Sequence, residues 1–163
     1  IWRHPLADIA ARAIAPIGTG FAALTLITGS LWGKPIWGVW WVWDGRLTSM
    51  LILFFFFIGY ITLSTAFERN ERGSRPAAIL ALVGCINLPI VKFSVDWWHT
   101  LHQPASILRT GGIAIDQSML WPLFTLFISF QLFFISIVLI RMLTALNQRK
   151  LDLMILRNPP NQR

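Results

Sequence analysis

Apolar residues run along the chain in four long blocks separated by short polar breaks: Ala13 to Leu31, Leu47 to Phe67, Pro76 to Val91 and Gln117 to Ile140. The hydrocarbon core of a bilayer, about 30 Å thick, takes about 20 helical residues to cross. Each block therefore predicts a membrane-spanning helix. The third, held between Arg75 and Lys92, is short and implies that its flanking bases snorkel or that the bilayer thins around it. The first contains Pro16, Gly18 and Gly20, tolerable in a membrane where neighbouring helices satisfy the freed backbone groups. None has the short apolar run and small-residue cleavage site of a signal peptide. The expected fold class is all-α: a polytopic transmembrane helical bundle with four spans and two tryptophan-rich outer loops. Residues 1–146 form the transmembrane domain, and 147–163 a cytoplasmic or matrix tail whose "NPPNQR" end is expected to be disordered.

Composition agrees with the pattern. Hydrophobic residues make up 55% of the 163 positions and charged residues 13%, too apolar a balance for an ordinary soluble surface. A net charge of +7 would suggest nucleic acid in a soluble protein, but that partner needs a contiguous, solvated basic face. Here the bases sit between apolar blocks, which argues against nucleic acid. Their placement orients the bundle, because basic residues in short loops stay on the cytoplasmic or matrix side. Arg3, Arg12, Arg69, Arg72, Arg75, Arg141, Arg149, Lys150, Arg157 and Arg163 fall on one side; Lys34, Arg46, Lys92 and Arg109 fall on the other. Ten against four places the loops 32–46 and 92–116 outside. The lone Cys85 lies within an apolar block and reads as a packing residue at lipid depth.

The first outer loop holds "WGKPIWGVWWVWDGRLTS" at positions 32 to 49, with Trp32, Trp37, Trp40, Trp41 and Trp43 followed by Asp44 and Arg46. An indole N–H needs a partner when buried, so five tryptophans in 12 residues suit an interface better than a core. An aromatic belt explains one or two of them. Interleaved with Gly33, Pro35 and Gly38, the five read better as a shaped platform for something flat and apolar. Asp44 and Arg46 either pair with each other, or Arg46 and Lys34 hold anionic groups of a ligand. The second outer loop, "KFSVDWWHTLHQP", places Trp97 and Trp98 beside His99 and His102. Neutral imidazole is a common metal ligand and a standard axial ligand of haem iron. Such donors beside an aromatic shelf suggest a porphyrin. His4 falls on the basic inner side, away from that site.

The two segments also carry a resemblance. "WGKPIWGVWWVWDGRLTS" resembles the signature of the tryptophan-rich (WWD) haem-handling membrane proteins, and "NLPIVKFSVDWWHTLHQP" is similar to the segment that follows it in the cytochrome c maturation protein C family. The motifs match in order, and nearly the whole chain fits the later part of that family. The resemblance implies a multi-pass protein of the bacterial or mitochondrial inner membrane that presents haem b at the outer surface. It further implies transfer of that haem to a membrane-anchored chaperone, CcmE, together with ABC transporter subunits and a small helper subunit. Carried over by position, the signature falls on Trp32, Trp37, Trp40, Trp41, Trp43 and Asp44, and the haem-ligand histidine on His102; Arg46, Trp97 and Trp98 complete the expected haem-binding set. His99 departs from the family pattern, which has a neutral polar residue there. The family also has six spans and a second ligand histidine in an earlier outer loop, so the chain looks like a fragment lacking the first two helices.

Two other readings start from the same residues. Asp96, His99 and His102, spaced three and three, would share one helical face if that loop is helical and could hold a catalytic metal with open positions. A metal-dependent membrane enzyme would follow, as opposed to a haem transfer or assembly factor that needs no turnover chemistry. Gln131, in the middle of the fourth block, fits a transporter subunit or, more simply, hydrogen-bonded glue between helices.

Overall fold

The computed structural model describes residues 5–66, 74–103, 106–107 and 112–157. Its elements are four helices: α1 (Pro5–Trp37), α2 (Gly45–Ala66), α3 (Ser74–Trp97) and α4 (Gln117–Arg157). All four are long and apolar enough to cross a membrane, and among the described residues there is no strand. The all-α, polytopic class expected from the apolar blocks is the class observed.

The helices overrun the blocks that predict them. At 1.5 Å per residue, the 33 residues of α1 reach about 50 Å and the 41 of α4 roughly 60 Å, well beyond a hydrocarbon core of about 30 Å. The short third span is not short: α3 runs through Lys92 to Trp97, giving 24 residues and removing any need for local thinning. Hydropathy marks where the lipid ends, whereas a helix ends where its backbone finds another partner or a residue it cannot accommodate. Likewise α4 carries on through Arg157, so most of the expected tail is helical; its "NPPNQR" end lies outside the described residues.

The chain divides into two compact units, residues 1–14 with 121–163, and residues 15–120. In the first, Arg12 Nε donates to Asp8 Oδ2 at 3.1 Å, one helical turn apart near the start of α1. Along α4 the side chains of residues 121–133 are all exposed, Gln131 included. Cys85, in the second unit, is likewise exposed on α3 and not packed inward.

The second unit is organised by the pair α2 and α3. Buried or half-buried positions on α3 fall at 77, 80, 84, 87, 91, 94 and 95, the first six in an alternating three–four spacing that keeps one stripe on one face. Four of them are Ala77, Gly84, Asn87 and Ser94, small or polar residues that let two backbones approach where lipid supplies no hydrophobic drive. The facing stripe on α2 includes Ser49, Leu53, Tyr60 and Ser64. A direct polar bond joins the two: Asn87 Nδ2 donates to the Ser49 carbonyl at 2.8 Å. Asn87 is 6% exposed, and its amide is the interhelical link that sequence reading assigned to Gln131. An interhelical hydrogen bond in a membrane contributes about 0.6 kcal/mol on average and up to about 1.7. Replacing Asn87 with the similarly sized Leu is therefore expected to destabilise the detergent-solubilised protein by about 1 kcal/mol, read as a lower midpoint in thermal unfolding; Leu82→Asn, a change at an exposed α3 position, is expected to leave the midpoint unraised.

Candidate functional site

The α1 helix ends where glycine makes a backbone conformation possible. Gly38 has φ +79°, the left-handed conformation that closes helices, and its N–H donates to the Lys34 carbonyl at 3.0 Å. Lys34 Nζ folds back over the same turn to the Gly38 carbonyl at 3.0 Å and lies 5.7 Å from the centre of the Trp40 ring. Trp32 and Trp37 thus sit on the last turns of α1, not in a loop, and Pro35 is a helical residue, not a stiffener of the turn. Trp37 meets Trp32 edge to face, centroids 5.4 Å apart, and meets the His102 ring in the same manner at 4.6 Å.

Asp44 stands directly before α2 and caps it. Its carbonyl accepts the Thr48 N–H at 3.1 Å, the first bond of the helix, and its Oδ1 accepts the Leu47 N–H at 2.8 Å. A carboxylate at a helix N-terminus is also favoured by the helix dipole. The other oxygen, Oδ2, faces the second loop. It accepts the Thr100 hydroxyl, and it lies 2.6 Å from His102 Nδ1. Thr100 Oγ1 in turn accepts the His102 backbone N–H at 3.1 Å, closing the chain around the imidazole. The Asp44 side chain is only 1% exposed and that of His102 17%.

Burial raises the Asp44 carboxyl, but the hydrogen bonds from Thr100, Leu47 N–H and His102, with the charge of His102, outweigh it and hold the group below its ordinary 3.8. The sign follows: the carboxylate's contribution to stability is full above pH 3.8 and is lost only as pH falls through the lowered value. Asp44 is an anion throughout the neutral range.

Close backbone approach brings the second tryptophan pair to the same end of this unit. A Cβ on Gly45 would stand 3.1 Å from Ser94 Cβ and 3.3 Å from Trp98 Cβ, so glycine lets the last turn of α3 rest against the first of α2 where a side chain would force a shift of a few tenths of an ångström. Trp97 stacks on Phe93 at 5.9 Å, and Trp41 meets Trp43 edge to face at 5.5 Å. Trp43, Trp97 and Trp98 remain 72%, 70% and 64% exposed. The indole Nε1 of Trp41 is buried and, among the described residues, has no hydrogen-bond partner.

Of the residues expected at the site, the structure joins Asp44, His102, Trp37 and Trp32 in one connected group, with Trp98 against the neighbouring Gly45. Arg46 is half-buried and does not pair with Asp44, whose partner is His102; the expected Asp44–Arg46 alternative is corrected accordingly. The metal-enzyme alternative loses its geometry. The α3 helix stops at Trp97, so Asp96, His99 and His102 share no helical face; Asp96 and His99 are exposed, and no set of three metal-ligating side chains gathers among the described residues. Sequence reasoning missed Thr100 and the Asp44–His102 bond. The available signal was an N-capping aspartate with a carboxylate oxygen to spare.

These features define a class: a multi-pass membrane protein in which tryptophan-bearing helix ends and a carboxylate-held imidazole meet at one end of a helix pair. Comparison with known proteins narrows it. Residues 1–157 match the family described as heme exporter protein C, CcmC. The chain is 55% identical over 150 residues to heme exporter protein C of Bradyrhizobium diazoefficiens, covering 92% of this chain and 57% of that protein. It is 45% identical over 142 residues to heme exporter protein C of Escherichia coli, covering 87% and 57%. With a ccmC-like mitochondrial cytochrome c biosynthesis protein of Marchantia polymorpha it shares 49% over 128 residues, covering 78% and 53%. The chain belongs to the heme exporter protein C family, and it is a multi-pass inner-membrane protein. It spans about half the length of the relatives it matches.

The turn at Gly38 offers a direct check on this geometry. An L side chain in the left-handed region costs roughly 1–2 kcal/mol, so Gly38→Ala is expected to lower the unfolding midpoint measurably, and Gly38→Asn, which visits that region more readily, to lower it less.

Proposed function

We propose that this chain holds haem b as cargo at the outer face of the membrane and passes it to the haem chaperone CcmE, working with ABC transporter subunits and a small helper subunit. The observation that carries this reading is the state of His102. Its Nδ1 is spent on Asp44, while Nε2 has no hydrogen-bond partner among the described residues. A neutral imidazole so held would present one free lone pair, which is what a haem-iron ligand requires. Ring faces at Trp37, Trp40, Trp41, Trp43, Trp97 and Trp98 supply stacking area, and the high exposure of several fits a platform that receives a ligand from outside.

The residues present fit the group. Bound haem would supply an iron that takes one nitrogen lone pair and a flat apolar ring edged by two carboxylates. Asp44 and Thr100 hold the imidazole, Trp37 braces its edge, and the remaining indoles would offer their faces to the bound ring. Arg46, half-buried and without an ion pair among the described residues, is the better placed of the two bases to meet an anionic edge group, since Lys34 already serves the Gly38 carbonyl. Transfer without turnover suits an open, distributed aromatic surface to which the described residues contribute one ligand, His102, because few bonds from them then have to break on release. The alternative of a transporter subunit draws no support from Gln131, which is exposed.

Three substitutions test the reading on purified protein. His102→Ala is expected to abolish the Soret band of bound haem, and His99→Ala to leave it. Joint replacement of Trp40, Trp41 and Trp43 by Ala is expected to reduce haem retention with membrane insertion intact; unchanged haem content there reduces these rings to membrane anchors. Arg46→Gln is expected to weaken haem binding by about tenfold, in line with loss of one charge-assisted hydrogen bond of about 1.5 kcal/mol, and an unchanged affinity removes Arg46 from the site.

A further inference from the structure

The geometry points to Asp44 and Thr100 as positioning residues that lock His102 in the tautomer with the proton on Nδ1, leaving Nε2 as a preformed, electron-rich ligand; this rests on the haem reading above. A carboxylate can only accept, so the 2.6 Å separation between Asp44 Oδ2 and a neutral His102 ring requires the hydrogen to sit on Nδ1. Thr100 adds a second constraint. Its hydroxyl donates to the same Oδ2, and its oxygen accepts the His102 backbone N–H at 3.1 Å while lying 3.1 Å from Nδ1. Ring and backbone of His102 are therefore both referenced to one carboxylate.

That carboxylate is itself immobile. Its other oxygen caps α2 through the Leu47 N–H, and its side chain is 1% exposed, so it can turn away only by uncapping the helix and stranding an anion. Trp37, edge-on at 4.6 Å, restricts the imidazole from another direction. The arrangement has two chemical consequences. The free imidazole side chain in water favours the proton on Nε2, so holding it on Nδ1 reverses the intrinsic preference and removes a tautomer change from the act of binding. An anion hydrogen-bonded to Nδ1–H also makes Nε2 a stronger electron donor, which would favour the more highly charged ferric iron over ferrous.

The test uses Asp44→Asn, because Asn caps helices about as well as Asp and keeps α2 in place while removing the charge. Thr100→Val is the second variant and Thr100→Ser the conservative rescue. With the ring in its neutral form, nitrogen-15 NMR of the haem-free protein in detergent is expected to show His102 protonated on Nδ1, a signature that weakens or reverses in Asp44→Asn and Thr100→Val and returns in Thr100→Ser. On haem titration, Asp44→Asn is expected to bind about 10- to 100-fold more weakly, as loss of an outer partner of a ligating histidine does, and to have a more positive reduction potential. A parent protein with His102 protonated on Nε2 overturns the inference, as does an Asp44→Asn protein with the parent's tautomer, affinity and potential. Failure of the haem reading registers separately, as a Soret band that survives His102→Ala; the tautomer measurement needs no haem and still decides the positioning role.

Discussion

One buried carboxylate organises this end of the molecule. Asp44 is withdrawn from water, and an anion in that position is stable only if hydrogen bonds and partner charges replace its hydration. One oxygen takes a backbone N–H of α2; the other takes a hydroxyl and an imidazole from residues 56 and 58 positions away. The requirement to satisfy both oxygens is what fastens the loop after α3 onto the start of α2. Had Asp44 been exposed, water could have served it and His102 would lose the polar anchor that keeps it in register with the tryptophans.

The packing beneath makes that fastening possible. Helices in lipid do not gain by hiding apolar side chains from one another, so α2 and α3 approach through small and polar residues, Ala77, Gly84, Asn87 and Ser94 among them. Gly45 continues the same logic at the membrane edge, where a single Cβ would push Ser94 and Trp98 away. The bulky residues are left to the outside. That division explains why the chain can be 55% hydrophobic and still bury few large side chains: its apolar surface is matched to lipid.

The site proposed for haem would combine two kinds of interaction with different tolerances. Aromatic stacking is distributed and forgiving, because each indole offers an apolar face at small conformational cost. Ligation by a nitrogen lone pair is directional, and needs a ring held in one tautomer and one orientation. Exposed tryptophans around a rigid imidazole would, on that proposal, suit a cargo that is seized specifically and then surrendered. A fully enclosed pocket would hold it more tightly and release it more slowly.

Much of this was legible along the chain. Four apolar blocks determined four helices, since a bilayer demands about 20 apolar helical residues per crossing and offers no other partner for the backbone. The tryptophan clusters and His102 stood out by residue type, because their chemistry is local to the side chain. Helix ends did not: α3 overran its block by passing Lys92, and Trp32 and Trp37 proved helical, because termination is set by backbone geometry at residues such as Gly38 and not by hydropathy. Nor could linear reading choose between Arg46 and His102 as the partner of Asp44. Two residues of separation favours the first and 58 the second only when the fold has brought the loops together. The sequence determined which side chains were available to the site; only the tertiary structure decided which of them share a proton, since a hydrogen bond depends on distance and angle, which chain order does not contain.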